Sequence, residues 1–436
     1  MPVGRAVAKM CVPSIIGSLV MMLYSMADTY FVGLLNDPVQ VSAVTLASPL
    51  LLAYNAVNNL FGVGSSSLMS RALGQQDFDR TRRASAFGLY CSIIAGICFT
   101  LTFTFFKAPF LRLLGADAET FEATSEYVLW TVQAGAVPAI VNVVLGYFVR
   151  AEGAAMHATI GTMSGCILNL ILDPFFILPQ FLGMGASGAG LATLIGNTVA
   201  VLYFVVLTCL KRGKTFVSIR PKDFRPSADI ARDVCSVGVP ASIQNLLNVT
   251  GQTILNNFAA AFGPIAVSAI GISHKIVMLP IMLGIGVSNG IMPLIGYNYS
   301  SGNRRRMREV FVYTMKIMLS AMAVLAVVYF IFPDGMMRIF IQDAEVVAYG
   351  AKMVRIASPT VLLMAVDFVA VGVFQACGLG RRALFFAVLR KVVLEIPLLF
   401  LLNRVYPLYG LPMAQPISEF ILSIAAILCL RKIMRE

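Results

Sequence analysis

The chain has 436 residues, 58% of them hydrophobic and 12% charged, with a mean hydropathy of +0.83 and a formal net charge of +12. A water-soluble globular domain carries about 25% charged residues, so that class is excluded. In a soluble protein the positive charge would point to nucleic acid; here the basic residues sit between long apolar runs, and membrane topology explains them instead.

Twelve apolar runs of about 20 residues or longer fit membrane-spanning helices. The first, 9–33, is longer than the apolar region of a cleaved signal peptide and no small-residue cleavage site follows it, so it is expected to be retained. The others cover 41–70, 83–106, 122–150, 156–178, 187–210, 231–261, 268–298, 309–332, 346–376, 383–403 and 411–430. Several exceed the minimum crossing length, which predicts tilts or kinks. Pro138, Pro280, Pro359 and Pro397 lie inside spans and can bend them.

Loop charge sets the orientation. Arg71, Arg80, Arg82 and Arg83 follow span two; Lys211, Arg212, Lys214, Arg220, Lys222 and Arg225 follow span six. Arg304, Arg305, Arg306 and Arg308 follow span eight, Arg381 and Arg382 follow span ten, and Arg431, Lys432 and Arg435 close the chain. The alternate loops hold only Lys107 and Arg112, then Arg338, then Arg404. The positive-inside rule therefore predicts that both termini are cytoplasmic.

The two halves repeat. Arg112, Asp117, Ala118, Glu119 and Gly146 recur 226 residues later as Arg338, Asp343, Ala344, Glu345 and Gly372. Asp173 and Gly188 return as Glu395 and Gly410, and Gly62 and Gly74 as Gly290 and Gly302. Six spans per repeat is an even number, so both repeats enter from the same side. The expected fold is an all-α integral membrane protein of twelve transmembrane helices. They form two parallel six-helix bundles related by a pseudo-two-fold axis along the membrane normal. The N-terminal lobe is expected over 1–210, a cytoplasmic linker with Pro221 and Pro226 over 211–228, and the C-terminal lobe over 229–436.

Enzyme chemistry has no visible foothold. A phosphate-cradling loop around Gly213-Lys214-Thr215 would need a glycine at 208, where Thr208 stands. No nucleophile elbow or zinc helix motif appears. The eight cysteines lie in or beside apolar runs without a CxxC pair and read as small buried hydrophobes. His157 and His274 lack metal-ligand spacing. No cofactor is expected.

Buried acids are present instead. Asp28, Asp173, Asp367, Glu395 and Glu419 fall within spans, where a charge at the bilayer centre costs about 2.5–3.5 kcal/mol even on lenient scales. In Leu168–Ile177 the only polar residues are Asn169 and Asp173, one turn apart on one helix face. Pro174 follows and has no N–H, which frees the carbonyl of Leu170. With Asp28 of span one and Thr193 of span six, these oxygens could bind Na⁺. The same carboxylates could share a proton. Both ions remain open. Glu395 follows Lys391 by one turn and reads as half of a neutralising pair. Glu419 has no evident partner, and Asp367 is the acid best placed for a cavity in the second bundle. Span seven carries an amide stripe, Gln244, Asn248, Gln252 and Asn256; span two carries Asn55, Asn58, Asn59, Gly62 and Ser66. These fit either interhelical hydrogen bonds or the polar wall of a substrate cavity, to which Asn142 of span four is also assigned.

Three motifs resemble one family. Met26-Ala27-Asp28-Thr29-Tyr30-Phe31-Val32-Gly33 is similar to the first-helix signature of multidrug and toxic compound extrusion (MATE) transporters. Asn169-Leu170-Ile171-Leu172-Asp173-Pro174 resembles the fifth-helix motif of its DinF-like branch, and Pro293-Leu294-Ile295-Gly296-Tyr297-Asn298-Tyr299 with Gly302 the end of its eighth helix. The resemblance spans essentially the whole chain. It implies a V-shaped pair of six-helix lobes in the bacterial cytoplasmic (inner) membrane that exports amphipathic, mostly cationic compounds against H⁺ or Na⁺. It places the coupling site on Asp28, Asn169, Asp173 and Thr193, and a substrate contact on Tyr24. Asp367 matches an acid that another branch uses in helix ten. That branch also has a glutamate in helix seven, where this chain has only amides, which favours coupling in the first lobe. A monomer is expected to contain the pathway. The main alternative, a flippase for a lipid-linked precursor on a related fold, would need a basic cavity to hold pyrophosphate. Lys275 is the clearest intramembrane cation and acids outnumber such cations. A non-transporting membrane receptor or scaffold would have no use for buried acids in both repeats.

Overall fold

The computed structural model describes residues 1–35 and 37–435, without the side chains of Thr29, Ala260, Pro264, Met434 and Arg435. Thr29 of the first-helix motif and Arg435 of the basic C-terminus therefore lie outside the described side chains. All regular elements among the described residues are helical. A helix satisfies its own backbone hydrogen bonds, which lipid cannot do for an open strand.

Twelve helical stretches follow the predicted order. They are α1 (Val3–Gly33), α2 (Pro38–Gly74), α3 (Phe78–Leu113), α4 (Phe121–Gln133 and Ala136–Ala151, bent by 44°), α5 (Ala155–Ile177) and α6 (Gly185–Leu210). They continue as α7 (Ala228–Ala260), α8 (Pro264–Ser300), α9 (Arg304–Ile331), α10 (Ala344–Ala376), α11 (380–405) and α12 (Gly410–Arg435). Among the described residues nine helices are long and apolar enough to cross a bilayer, and the bent α4 makes a tenth. The remaining two have visible causes. α7 carries the amide stripe, and α11 is broken by a π-helical stretch, Leu389–Glu395, that bears Arg390, Lys391 and Glu395. Further π turns interrupt α2 at Asn58–Val63 and α4 at Leu129–Gln133. Many helices outrun the apolar runs, as where α3 begins at Phe78 and includes Arg80, Arg82 and Arg83. A helix can continue past the hydrocarbon, whereas an apolar run stops there.

The chain forms two compact units that do not divide at the linker. One is Ile16–Ser242; the other joins Met1–Ile15 to Ile243–Glu436. The start of α1 thus belongs with the second half, and the start of α7 with the first. Glycines explain both attachments. A Cβ on Gly238 of α7 would lie 2.0 Å from the Leu60 carbonyl oxygen of α2. A Cβ on Gly290 of α8 would lie 2.7 Å from the Cys11 Cα of α1. Backbones approach where the side chain is missing. The expected linker is also part of the first unit: Glu152 accepts from the Thr215 hydroxyl at 2.7 Å and the Phe216 N–H at 3.0 Å. Tyr90 donates to the Ile219 carbonyl at 2.9 Å.

The sequence repeat has a structural counterpart inside each unit. In the first, α2 and α3 pack on α4, α4 on α6, and α5 on α6; in the second, α8 and α9 pack on α10, α10 on α12, and α11 on α12. Asp117 Oδ1 accepts from the N–H groups of Glu119 (3.1 Å) and Thr120 (2.9 Å). Asp343 Oδ1 accepts from the equivalent Glu345 (3.0 Å) and Val346 (2.9 Å). The cysteines differ from expectation in part. Cys11 and Cys377 are buried, but Cys98, Cys209 and Cys235 are exposed, and none of the eight forms a disulfide among the described residues. Being apolar enough for lipid, an exposed cysteine on a span has no need of a core.

Candidate coupling and binding site

The apolar stretch around Asp173 presents two different faces. Leu170, Ile171 and Phe175 are exposed, while Asn169 and Asp173 are 2% and 0% exposed. The polar residues therefore face protein, as a charge inside a bilayer must. α5 and α6 meet at paired glycines: a Cβ on Gly165 would sit 2.5 Å from the Gly196 carbonyl oxygen, and one on Gly196 2.6 Å from that of Gly165. That approach brings Asn169 to Thr193, and the Asn169 amide donates to the Thr193 hydroxyl at 3.2 Å. The Tyr24 hydroxyl of α1 lies 3.4 Å from the same Thr193 oxygen. One turn after Tyr24, Asp28 is close enough for its charge to act on Asp173.

All four predicted coupling residues thus fall together in the first unit with Tyr24. Their acceptors are unspent. Asp28 Oδ1, Asn169 Oδ1 and both carboxylate oxygens of Asp173 are buried and accept no hydrogen bond among the described residues. Buried oxygens of this kind are costly unless a proton, a cation or water meets them. No group of three or more His, Cys, Asp or Glu that could hold a metal occurs among the described residues. An Na⁺ ion would therefore rest on two carboxylates plus neutral amide and hydroxyl oxygens, a hard donor set suited to it. The same carboxylates serve equally for a proton.

Tyr127 was not legible in the sequence. It is 2% exposed and near enough to Asp28, Tyr24 and Asp173 to feel their charges. A lone tyrosine in an apolar run gives no signal that it faces acids on two other helices. Asn142 donates to Asn197 at 3.2 Å, one turn beyond Thr193 on α6. Asn58 is buried, Asn59 half-buried and Asn55 exposed, so the α2 stripe winds from protein to open surface.

The remaining assigned residues, Gln252, Asn256 and Asp367, lie in the other unit. Gln252 donates to Asn256 at 3.1 Å within α7, and Asn256 is exposed. Asp367 is 5% exposed and ion-paired with Arg390. Arg390 also reaches Glu419 at 3.4 Å and donates to Asn248 at 2.8 Å. Lys391 meets Glu395 at 2.6 Å, the pair expected from their spacing. Arg390 and Lys391 correct the view that Lys275 is the clearest intramembrane cation: Lys275 is exposed, and these two are the cations held among buried acids.

Two six-helix repeats with carboxylates buried at span depth define a multi-pass membrane transporter. The MatE family model matches residues 13–175 and again 240–401, one match per repeat. The chain belongs to the MATE family. It is similar to the multidrug export protein MepA of Staphylococcus saprophyticus, 33% identical over 426 residues, covering 98% of this chain and 93% of the relative. MepA of Staphylococcus aureus strain MRSA252 is 32% identical over 431 residues with the same coverage. Among solved structures, an outward-facing multidrug resistance MATE transporter superposes with a TM-score of 0.93 at 26% identity, covering 100% of this chain and 96% of that one. A transporter from Pyrococcus furiosus, described as having a binding pocket of reverse polarity, gives a TM-score of 0.92 at 26% identity over 100% of this chain and 96% of that one.

Proposed function

We propose that this chain is a multidrug exporter of amphipathic, mostly cationic compounds, driven by H⁺ or Na⁺ antiport and working by alternating access. The observation that carries the reading is the pair of carboxylates, Asp28 and Asp173, whose buried oxygens lack donors among the described residues. Loading one proton or Na⁺ lowers the pair's charge from −2 to −1 and removes the repulsion between its members; unloading restores two like charges that repel. The two states favour different packing of α1 against α5, which is the differential interaction an alternating equilibrium needs. A cationic substrate then competes with the ion for the same negative charge. MepA, a multidrug export protein by name, supports the substrate class. Loop charge supports cytoplasmic termini in a bacterial inner membrane, and a single chain supplies both repeats, so a monomer suffices.

A flippase for a lipid-linked pyrophosphate would need unpaired buried cations. Arg390 and Lys391 are each paired with carboxylates, so neither is free to hold one. The deciding experiment is ethidium efflux from proteoliposomes of known orientation under a pH gradient or a Na⁺ gradient, applied separately, with Asp173→Asn as control. Efflux under one gradient, lost in the variant, names the ion. Undiminished efflux by the variant would sink the proposal.

A further inference from the structure

The second unit contains five ionisable side chains in one buried cluster, and their charges do not balance. Asp367 comes from α10, Arg390, Lys391 and Glu395 from the π stretch of α11, and Glu419 from α12. Asp367, Glu395 and Glu419 are all buried, Glu419 to 1% exposure. Arg390 cannot give up its proton and is spent mainly on Asp367, which it contacts more closely than Glu419. Lys391 is spent on Glu395 at 2.6 Å. Three carboxylates thus face two cations, and Glu419 is left with only a share of Arg390 at 3.4 Å. Its second oxygen, Oε2, is buried and meets no donor among the described residues; the same holds for Oε2 of Glu395, whose Oε1 is matched by its own cation.

We propose that the second unit binds one exchangeable proton, held on Glu419. An uncompensated carboxylate in such a place costs several kcal/mol, and one proton removes the surplus while Oε2 becomes the hydroxyl of a neutral acid. A metal cation fits poorly, because it would have to sit beside a guanidinium and an ammonium group. The surroundings are complete from each packed helix. α10 brings Asp367; α11 brings Arg390, Lys391 and Glu395; α9 brings no charged group to Glu419 among the described residues. α7 supplies the neutral Asn248 to Arg390, and α8 brings His274, which is exposed and close enough for its charge and that of Lys391 to act on each other. The inference deepens the coupling scheme above and depends on it only for the proton's role in transport.

The proton can be measured without transport. Infrared difference spectra of purified full-length protein would be recorded between about pH 6 and pH 9, where exposed carboxylates are already ionised. The background is the Asp28→Asn/Asp173→Asn double variant, which silences the first unit. A pH-dependent carbonyl band of a protonated carboxyl group is expected to persist there and to disappear when Glu419→Gln is added. Absence of the band from the double variant overturns the proposal even if the triple variant cannot be purified. A band that survives Glu419→Gln also overturns it. Neither result bears on ethidium efflux by the wild-type chain, so failure here and failure of the exporter reading are distinguishable.

Discussion

The Asn169 amide donates to the Thr193 hydroxyl at 3.2 Å, and that bond turns the other end of Asn169, its carbonyl oxygen, into an acceptor without a donor. Thr193 thereby acts as a positioning residue: it is met by Asn169 and by Tyr24, and it fixes what faces the acids. Thr193→Val keeps the shape and removes the hydroxyl. Leaving buried partners unmet costs about 1–3 kcal/mol, so the apparent affinity for the coupling ion should fall about 5–150-fold, with Thr193→Ser restoring most of it. An ion dependence of efflux unchanged by Thr193→Val would contradict this.

Asp28 and Asp173 should behave as one unit. Groups that share a proton or an ion titrate together, and their losses are not additive. Asp28→Asn and Asp173→Asn should each abolish gradient-driven ethidium efflux, and the double variant should bind a cationic dye no worse than the poorer single variant. Dye-binding titration of the purified variants tests this; strictly additive losses would mean two separate sites.

Gly238→Ala and Gly290→Ala should each be destabilising. In both places the added methyl meets backbone, the Leu60 carbonyl oxygen or the Cys11 Cα, which cannot swing aside. Overpacking of this kind costs about 1–3 kcal/mol. A lower unfolding temperature in detergent is the expected result, and Gly213→Ala, where nothing lies within 4 Å but φ is +87°, gives a comparison governed by strain alone.

The matched caps make a fourth test. Asp343→Ala removes an N-cap acceptor and should cost about 0.5–2 kcal/mol. Asp117 adds a pH dependence. Its carboxyl is held below the usual range, chiefly by the Thr120 hydroxyl and then by backbone N–H groups. A depressed value means that the cap stabilises above the ordinary carboxylate range and is lost as pH falls through the lowered one. Asp117→Asn should therefore flatten the acid limb of the stability curve, read by unfolding at stepped pH.

Much of the site could be read before the structure because membrane spans magnify polar residues. Asn169 and Asp173 stand out in an apolar run, and helical spacing alone puts them on one face. Lys391 and Glu395 were legible for the same reason. Arg390 was not. It lies on a π turn, where the wider winding resets which residues share a face, so spacing rules built on 3.6 residues per turn do not bring it to Asp367 and Glu419. The division into units was hidden too. Linker composition marks where the repeats join in sequence, but Gly238 and Gly290 decide which half each helix start packs against, and a glycine on a span announces no partner.

The assignment of Met1–Ile15 to the second half and of the start of α7 to the first amounts to a reciprocal loan. Each repeat contributes the opening of its own first helix to the other, the arrangement of a domain-swapped pair. The connecting segment 211–228 then turns two exchanging copies into one polypeptide. A half cut at that segment therefore leaves part of each compact unit behind on the other half.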